Sequence, residues 1–373
     1  MRIESIKANS IRTLGLRRSG LDGLVTLSLL LTSMLIAPAA RAAVLRGVMD
    51  QEFLNLSWDA PDAKLEEAPA LNAPWQTVIT TNSSYRLRPS TNLASRCRFY
   101  RLKQPPPGKK WLTVAAVAMT SAANTATNLQ TFYSAMEQAA SNGVDLIVFP
   151  ELALQGCPPW AQYDRVPTPA EMAYVRGTAE TVPGPSTSNL VARANALNLF
   201  VAFGLTEQDT ATTNLYNSAV FLGPQGVLGT HRKSMSFGND ARIFARGTNL
   251  IEVFDSPIGK AGINICGEIG GELQTTNTLT GPRLAAAGAD LLVTVTAFWT
   301  SDAAINDLGT TLNASLANRW HVVADQVGRL GYVQCYGHSR VVDPLGRIVC
   351  DSGPTQQGMV VWATDRVTDI RIP

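Results

Sequence analysis

From Trp111 onward the chain is punctuated by short, mainly apolar runs, and this feature most narrows what it can fold into. The runs are Leu112 to Val117, Asp145 to Pro150, Leu199 to Gly204, Ala219 to Leu222, Ala261 to Ile265, Leu291 to Val295 and Tyr332 to Tyr336. A strand of alternating polarity keeps one wet face, whereas a run apolar at successive positions must be covered on both faces. The stretches between them carry helical periodicity, clearest at Asn128 to Ser141, Ser186 to Leu197, Thr280 to Ala287 and Leu308 to Arg319. Apolar strands alternating with helices predict a layered α/β domain over 111–373, with helices covering the sheets.

The preceding residues read differently. Residues 43–104 suggest a small all-β module, with strands at Phe53 to Trp58, Trp75 to Ile79, Tyr85 to Leu87 and Arg98 to Leu102. The stiff, solvated segment Pro105-Pro106-Pro107-Gly108-Lys109-Lys110 reads as a linker. Residues 1–42 have the order of a signal peptide: a basic opening, an apolar run from Leu24 to Ala37, and Ala40-Arg41-Ala42 at the cleavage position. The run is 14 residues long, short of the roughly 20 that a membrane span needs. The expectation is export to the periplasm or beyond, by either the general or the twin-arginine route, with a mature chain starting at Ala43 and holding no membrane span.

Charge supports this division. The whole chain carries 31 Lys and Arg against 29 Asp and Glu, but without residues 1–42 the counts become 25 and 27. A slightly acidic mature chain offers no electrostatic argument for nucleic acid as a partner. The five cysteines Cys97, Cys157, Cys266, Cys335 and Cys350 are an odd number, so at least one is outside any intramolecular disulfide. None is spaced as in a zinc knuckle or a redox CxxC, and no metal is expected.

Three segments end on a polar or reactive group. "DLIVFPE" delivers Glu151, "GTHRK" delivers Lys233, and "GINICGE" delivers Cys266 and Glu268. Each alone has an ordinary explanation: a capping carboxylate, a solvated cation, a small buried hydrophobe. Together, in this order and with "RLAAAGADLLVTVTAFW", "ANRWHVVADQVG" and "GHSRVVDPLGRIV" following, the pattern resembles the nitrilase or carbon-nitrogen hydrolase superfamily from about Trp111 to Arg366.

That resemblance implies a four-layer αββα sandwich, a homodimer or larger homo-oligomer, and a Glu-Lys-Cys site that needs no metal or organic cofactor. Cys266 is then the nucleophile toward a small-molecule amide or nitrile, and Glu151 moves its proton. Lys233 and the Gly267 N–H stabilise the oxyanion. The chain departs from the family pattern twice. Where a second Glu often follows the Lys, this chain offers Asp240 or Asn239. Where a bulky aromatic often follows the nucleophile, it has Gly267, which suggests a roomier or differently shaped pocket. Glu268 leans toward the nitrilase pattern, and Trp299 and Phe298 are candidates for the acyl pocket. The expected activity is hydrolysis of a non-peptide amide or N-carbamoyl bond through a cysteine-linked acyl intermediate. A nitrilase is the alternative, and a non-catalytic binding protein tethered by the β module is the rival of another class.

Overall fold

The computed structural model describes residues 11–18, 25–32, 45–50, 53–58, 64–68, 76–78, 84–87, 99–103, 110–156, 166–237, 240–271, 279–330 and 333–368. Cys97, Cys157, Asn239 and most of the expected linker lie outside these residues. The chain divides into two compact units, one up to Lys110 and one from Trp111.

The smaller unit consists of strands. Leu45–Asp50, Phe53–Trp58 and Ser84–Leu87 form a three-stranded antiparallel sheet. A five-stranded sheet runs Val25–Thr32, Ile11–Arg18, Phe99–Lys103, Lys64–Ala68, Gln76–Thr77. Leu56, Trp58, Leu65 and Val78 are buried. In the uncleaved chain Val25–Thr32, which falls within the expected signal peptide, pairs along its whole length with Ile11–Arg18. An apolar run retained in the chain must satisfy its backbone groups, and a neighbouring strand does so.

In the larger unit, two six-stranded sheets face each other. The first has the order Gly226–Arg232, Leu215–Gly223, Phe200–Gln208, Leu146–Val148, Lys110–Ala118, Gly358–Thr368. The second has the order Val253–Phe254, Ala261–Ile265, Leu291–Thr296, Trp320–Asp325, Arg340–Val342, Ile348–Asp351. Alternate residues of one strand serve different layers. Leu112, Val114 and Ala116 pack between the sheets with Ile263, Ile265, Val293 and Val322. Ala115 and Val117 point the other way, onto Phe132, Met136, Leu190 and Ala194 of the helices Thr125–Ser141 and Pro185–Leu197. On the far side, Leu284 of Thr280–Ala286 and Ala317 of Ala303–Ala317 cover Leu292. The result is the αββα sandwich, and it explains why these strands are apolar on both faces.

Several expectations are corrected in detail. Asn128 does not open its helix. Asn124 is the cap, accepting from the Thr127 N–H at 3.0 Å, and Asn128 is buried within the helix, where its amide binds Ala122 and Leu154. Trp320–Asp325 is a fully buried central strand that the sequence reading did not single out, its apolar run being broken by His321. In the stretch expected as the strand Tyr332 to Tyr336, the described residues form the short pair Arg329–Leu330 with Val333–Gln334 and an isolated bridge from Cys335 to Trp299. The helix Pro169–Thr178, unforeseen, starts on a reciprocal cap between Thr168 and Glu171.

Candidate active site

Three chain segments converge between the ends of the two sheets. Glu151 follows Leu146–Val148, and its backbone lies against Gly204, where an added Cβ would come within 2.6 Å of the Glu151 Cα. Glycine at 204 is what permits that approach. The Glu151 side chain is buried. Its Oε1 accepts from Lys233 Nζ and Asn217 Nδ2, both at 2.7 Å, and its Oε2 accepts from the Ala297 N–H at 3.0 Å. Gln326 Nε2 donates to the Glu151 carbonyl at 3.1 Å. The carboxylate is thus pinned from both sheets.

Lys233 follows Gly226–Arg232, and its own N–H donates to the Asn217 carbonyl at 2.8 Å. Besides Glu151, its ammonium donates to Asp240 Oδ2 at 2.6 Å. Burial alone would pull this ammonium down, but Asp240, then Glu151 and Cys266, hold it well above its ordinary value. The Asp240 carboxyl is raised, first by burial and then by Glu151, against the opposing charge of Lys233. Asp240 therefore holds the lysine, while Asn239 is not described.

Cys266 comes directly after the buried strand Ala261–Ile265 and opens the 3-10 turn Cys266–Gly270. Its φ of 52° is left-handed, a conformation that costs a non-glycine residue about 1 kcal/mol or more and clusters at functional positions. Burial first and the charge of Glu151 next push the thiol up, while Lys233, the Thr296 hydroxyl and the Ala297 N–H pull it down. The balance is upward. The resting thiol is protonated and needs a base, and the carboxylate felt at the sulfur is Glu151. The Thr296 hydroxyl is buried with no other hydrogen-bond partner among the described residues, so it is free to stabilise a thiolate. The Gly267 N–H lies in the first turn after the strand, where helical N–H groups lack an intrahelical acceptor.

Two other expectations do not survive. Glu268 does not contact the substrate space, because it is fully buried and saturated with donors. His231 Nε2 and the Ile265 N–H donate to its Oε2, both at 2.8 Å, and the Ser234 N–H and hydroxyl donate to its Oε1 at 2.7 and 2.9 Å. His231 also donates through Nδ1 to Glu252 at 2.7 Å. Burial opposes its charge, but Glu268 and Glu252 win and push the imidazole up to about 9. Glu268 is held low despite burial, chiefly by that imidazolium. Nor does Gly267 leave an opening, since a Cβ there would meet the Phe237 ring at 2.5 Å. Phe298 packs in the core with Ile269, Val323 and Tyr336. Trp299 is half-buried at the head of the turn Thr300–Asp302.

Asn217, Ala297, Gln326 and the His231 cluster were not foreseen as site residues. The available signal was polarity in the wrong place: Asn217 just before an apolar run and Gln326 just past one. Among the described residues, no set of three or more His, Cys, Asp or Glu side chains is placed to hold a metal ion.

Known proteins resemble this chain in sequence and in fold. The sequence model of the family described as carbon-nitrogen hydrolase matches residues 113–371. Nitrilase 2 of Arabidopsis thaliana is 36% identical over 139 residues, which are 35% of this chain and 40% of that protein. An aliphatic nitrilase of Sinorhizobium fredii (strain HH103) is 27% identical over 257 residues, covering 63% of this chain and 79% of that protein. Among solved structures, Saccharomyces cerevisiae Nit3, a member of branch 10 of the nitrilase superfamily, superposes with a TM-score of 0.57 at 22% identity, over 68% of this chain and 90% of that one. An amidase from Nesterenkonia sp. does so with a TM-score of 0.56 at 19% identity, over 68% and 90%. A family match that runs through both sheets and all three converging segments is decisive, and the chain belongs to the carbon-nitrogen hydrolases, as an enzyme of the nitrilase superfamily.

Proposed function

We propose that the mature protein hydrolyses a small amide or N-carbamoyl compound through a cysteine-linked acyl intermediate. The observation that carries this reading is the Lys233 ammonium, fixed between Glu151 and Asp240 and felt at the Cys266 thiol. Cys266 Sγ attacks the carbonyl carbon as Glu151 takes the thiol proton, and the oxyanion forms against Lys233 and the Gly267 N–H. Glu151 passes the proton to the leaving nitrogen, the C–N bond breaks, and ammonia or an amine departs. Glu151 then takes a proton from water as it attacks the thioester, and the acid and free thiol return. A solved variant of the Nesterenkonia sp. AN1 amidase carries the acetamide moiety of fluoroacetamide on its active-site cysteine, which supports covalent chemistry by analogy.

A nitrile would follow the same path through a thioimidate, and the nitrilases among the relatives favour that second reading. Ammonia release from matched amide, carbamoyl and nitrile sets, with Cys266→Ala as control, separates the two. Turnover of nitriles alone would replace the first reading by the second. Turnover retained by Cys266→Ala would remove both.

The same proposal includes export, with cleavage after Ala42, a separate β module at 43–104 and a homodimer or larger assembly. Intact mass of the exported protein and light scattering test the first and last of these. An intact Met1 on exported protein, or a monomer, would sink the corresponding claim.

A further inference from the structure

Gly267 and Phe237 form a matched pair. The backbone at 267 does not demand glycine, since its φ lies outside the left-handed region. What excludes a side chain there is Phe237, whose Cε2, Cζ and Cδ2 lie 2.5, 2.7 and 3.0 Å from the position a Cβ would take. Phe237 arrives from the segment after the catalytic lysine. Its ring centroid is 5.8 Å from Lys233 Nζ, and its carbonyl accepts from the Asp240 N–H at 3.0 Å. The ring is also unlike the phenylalanines of the core. Phe132, Phe149, Phe203 and Phe221 are fully buried, whereas Phe237 is half-buried and, among the described residues, packs in none of the core clusters that hold them.

The electrophilic carbon must sit within bonding reach of Cys266 with its oxygen toward Lys233. A ring that touches position 267 on one side and approaches the Lys233 ammonium on the other therefore borders the space left for the acyl substituent. We infer that Phe237 is the specificity-determining wall of this site, supplying from the lysine loop the bulk that a side chain at 267 would otherwise supply, and restricting the site to short aliphatic acyl groups over aryl ones. This deepens the proposed function and rests on it for the word acyl. The ring's position between Gly267 and the Lys233 ammonium does not depend on that reading.

The test uses the full protein and reads size selectivity at Cys266 in two ways. The first is the alkylation rate of Cys266 by iodoacetamide and by its bulkier N-benzyl analogue, assigned by peptide mass, which needs no turnover. The second is kcat/KM for short aliphatic against aryl amides or nitriles. Phe237→Ala is expected to raise the bulky-to-small ratio at least about tenfold in both, the scale on which an apolar pocket discriminates size. Phe237→Leu should give a smaller rise. A ratio within one protein cancels any loss of folded fraction, so a purely structural role would not move it. Gly267→Ala should lower both rates in the wild-type background and cost far less in the Phe237→Ala background, where the clash is gone. An unchanged alkylation ratio in both Phe237 variants overturns the inference. So does a full-sized Gly267→Ala loss in the double variant. If no substrate is turned over by the wild type while the alkylation ratio rises, the substrate reading fails and the Phe237 wall stands.

Discussion

His231 and Lys233 stand two residues apart at the end of one strand, and each is a buried cation between two carboxylates, yet only one can do chemistry. His231 is held by Glu252 and Glu268, and Glu268 spends its remaining capacity on Ser234 and Ile265. That cluster is closed on itself and ties the lysine loop to the nucleophile turn. Lys233 is held by Glu151 and Asp240, but its charge extends to the thiol of the half-buried Cys266, and Glu151 feels the same sulfur. Arg232, between them, faces Glu207 and Asp209 and is one-third exposed. Three successive cations thus have three fates. An ion cluster becomes catalytic when one of its members is left to serve a group that must change charge.

The largest effects fall on the open cluster. Cys266→Ala should abolish turnover of the best substrate found, and Glu151→Gln should lower it by about 100 to 10,000-fold, the worth of a general base. Lys233→Ala should cost roughly 100 to 1,000-fold. Steady-state rates of single and paired variants should show that the losses do not add, since the three act as a unit. Additive losses would break the idea of one cluster.

His231→Gln should damage stability instead, because it leaves Glu268 buried without its cation. Removing one partner of a buried pair costs about 3–5 kcal/mol, read as a lower urea midpoint. If its kcat fell as far as that of Lys233→Ala while the fold stayed intact, the two clusters would not differ in the way described.

Asp240→Asn removes a charged hydrogen bond to the lysine, worth about 1.5–3 kcal/mol. Its kcat should therefore fall about 10 to 100-fold, less than the loss for Lys233→Ala. An equal loss would mean that Asp240 does more than hold the lysine.

The closed cluster also has a pH signature. The imidazole of His231 is raised from 6.5 to about 9, so its stabilisation is complete below about pH 6.5 and is lost as pH rises through about 9. Urea midpoints measured across this window should decline in the wild type and lose that part of the decline in His231→Gln. The smallest effect belongs to the outward cation. Arg232→Ala should leave turnover as it was and lower the melting temperature by several degrees, since its partner Glu207 is itself buried and loses a charged hydrogen-bond donor.

Much of this was legible in the chain itself. The runs ending at Glu151, Lys233 and Cys266 have local causes, since residues apolar on every position make covered strands and a strand end presents its next side chain at a sheet edge. The order of these runs, and the helices between them, led to a layered α/β domain, and the family resemblance made it an αββα sandwich. Asp240 was readable as the lysine's partner because the family pattern the chain resembles puts an acid shortly after the lysine. Distance along the chain hid the rest. Asn217 reaches Glu151 across 66 positions and Ala297 across 146, and no local pattern marks a contact made only when two sheets close.

Glu268 and Gly267 teach the same point from the nearest neighbours of the nucleophile. Sequence determined that a carboxylate and a glycine stand there, through the identity of each residue and its place after an apolar strand. Only the tertiary structure decided that the carboxylate turns inward to His231 and that the glycine's space belongs to Phe237. A side chain's direction and the volume beside it are set by what packs against them from elsewhere in the chain.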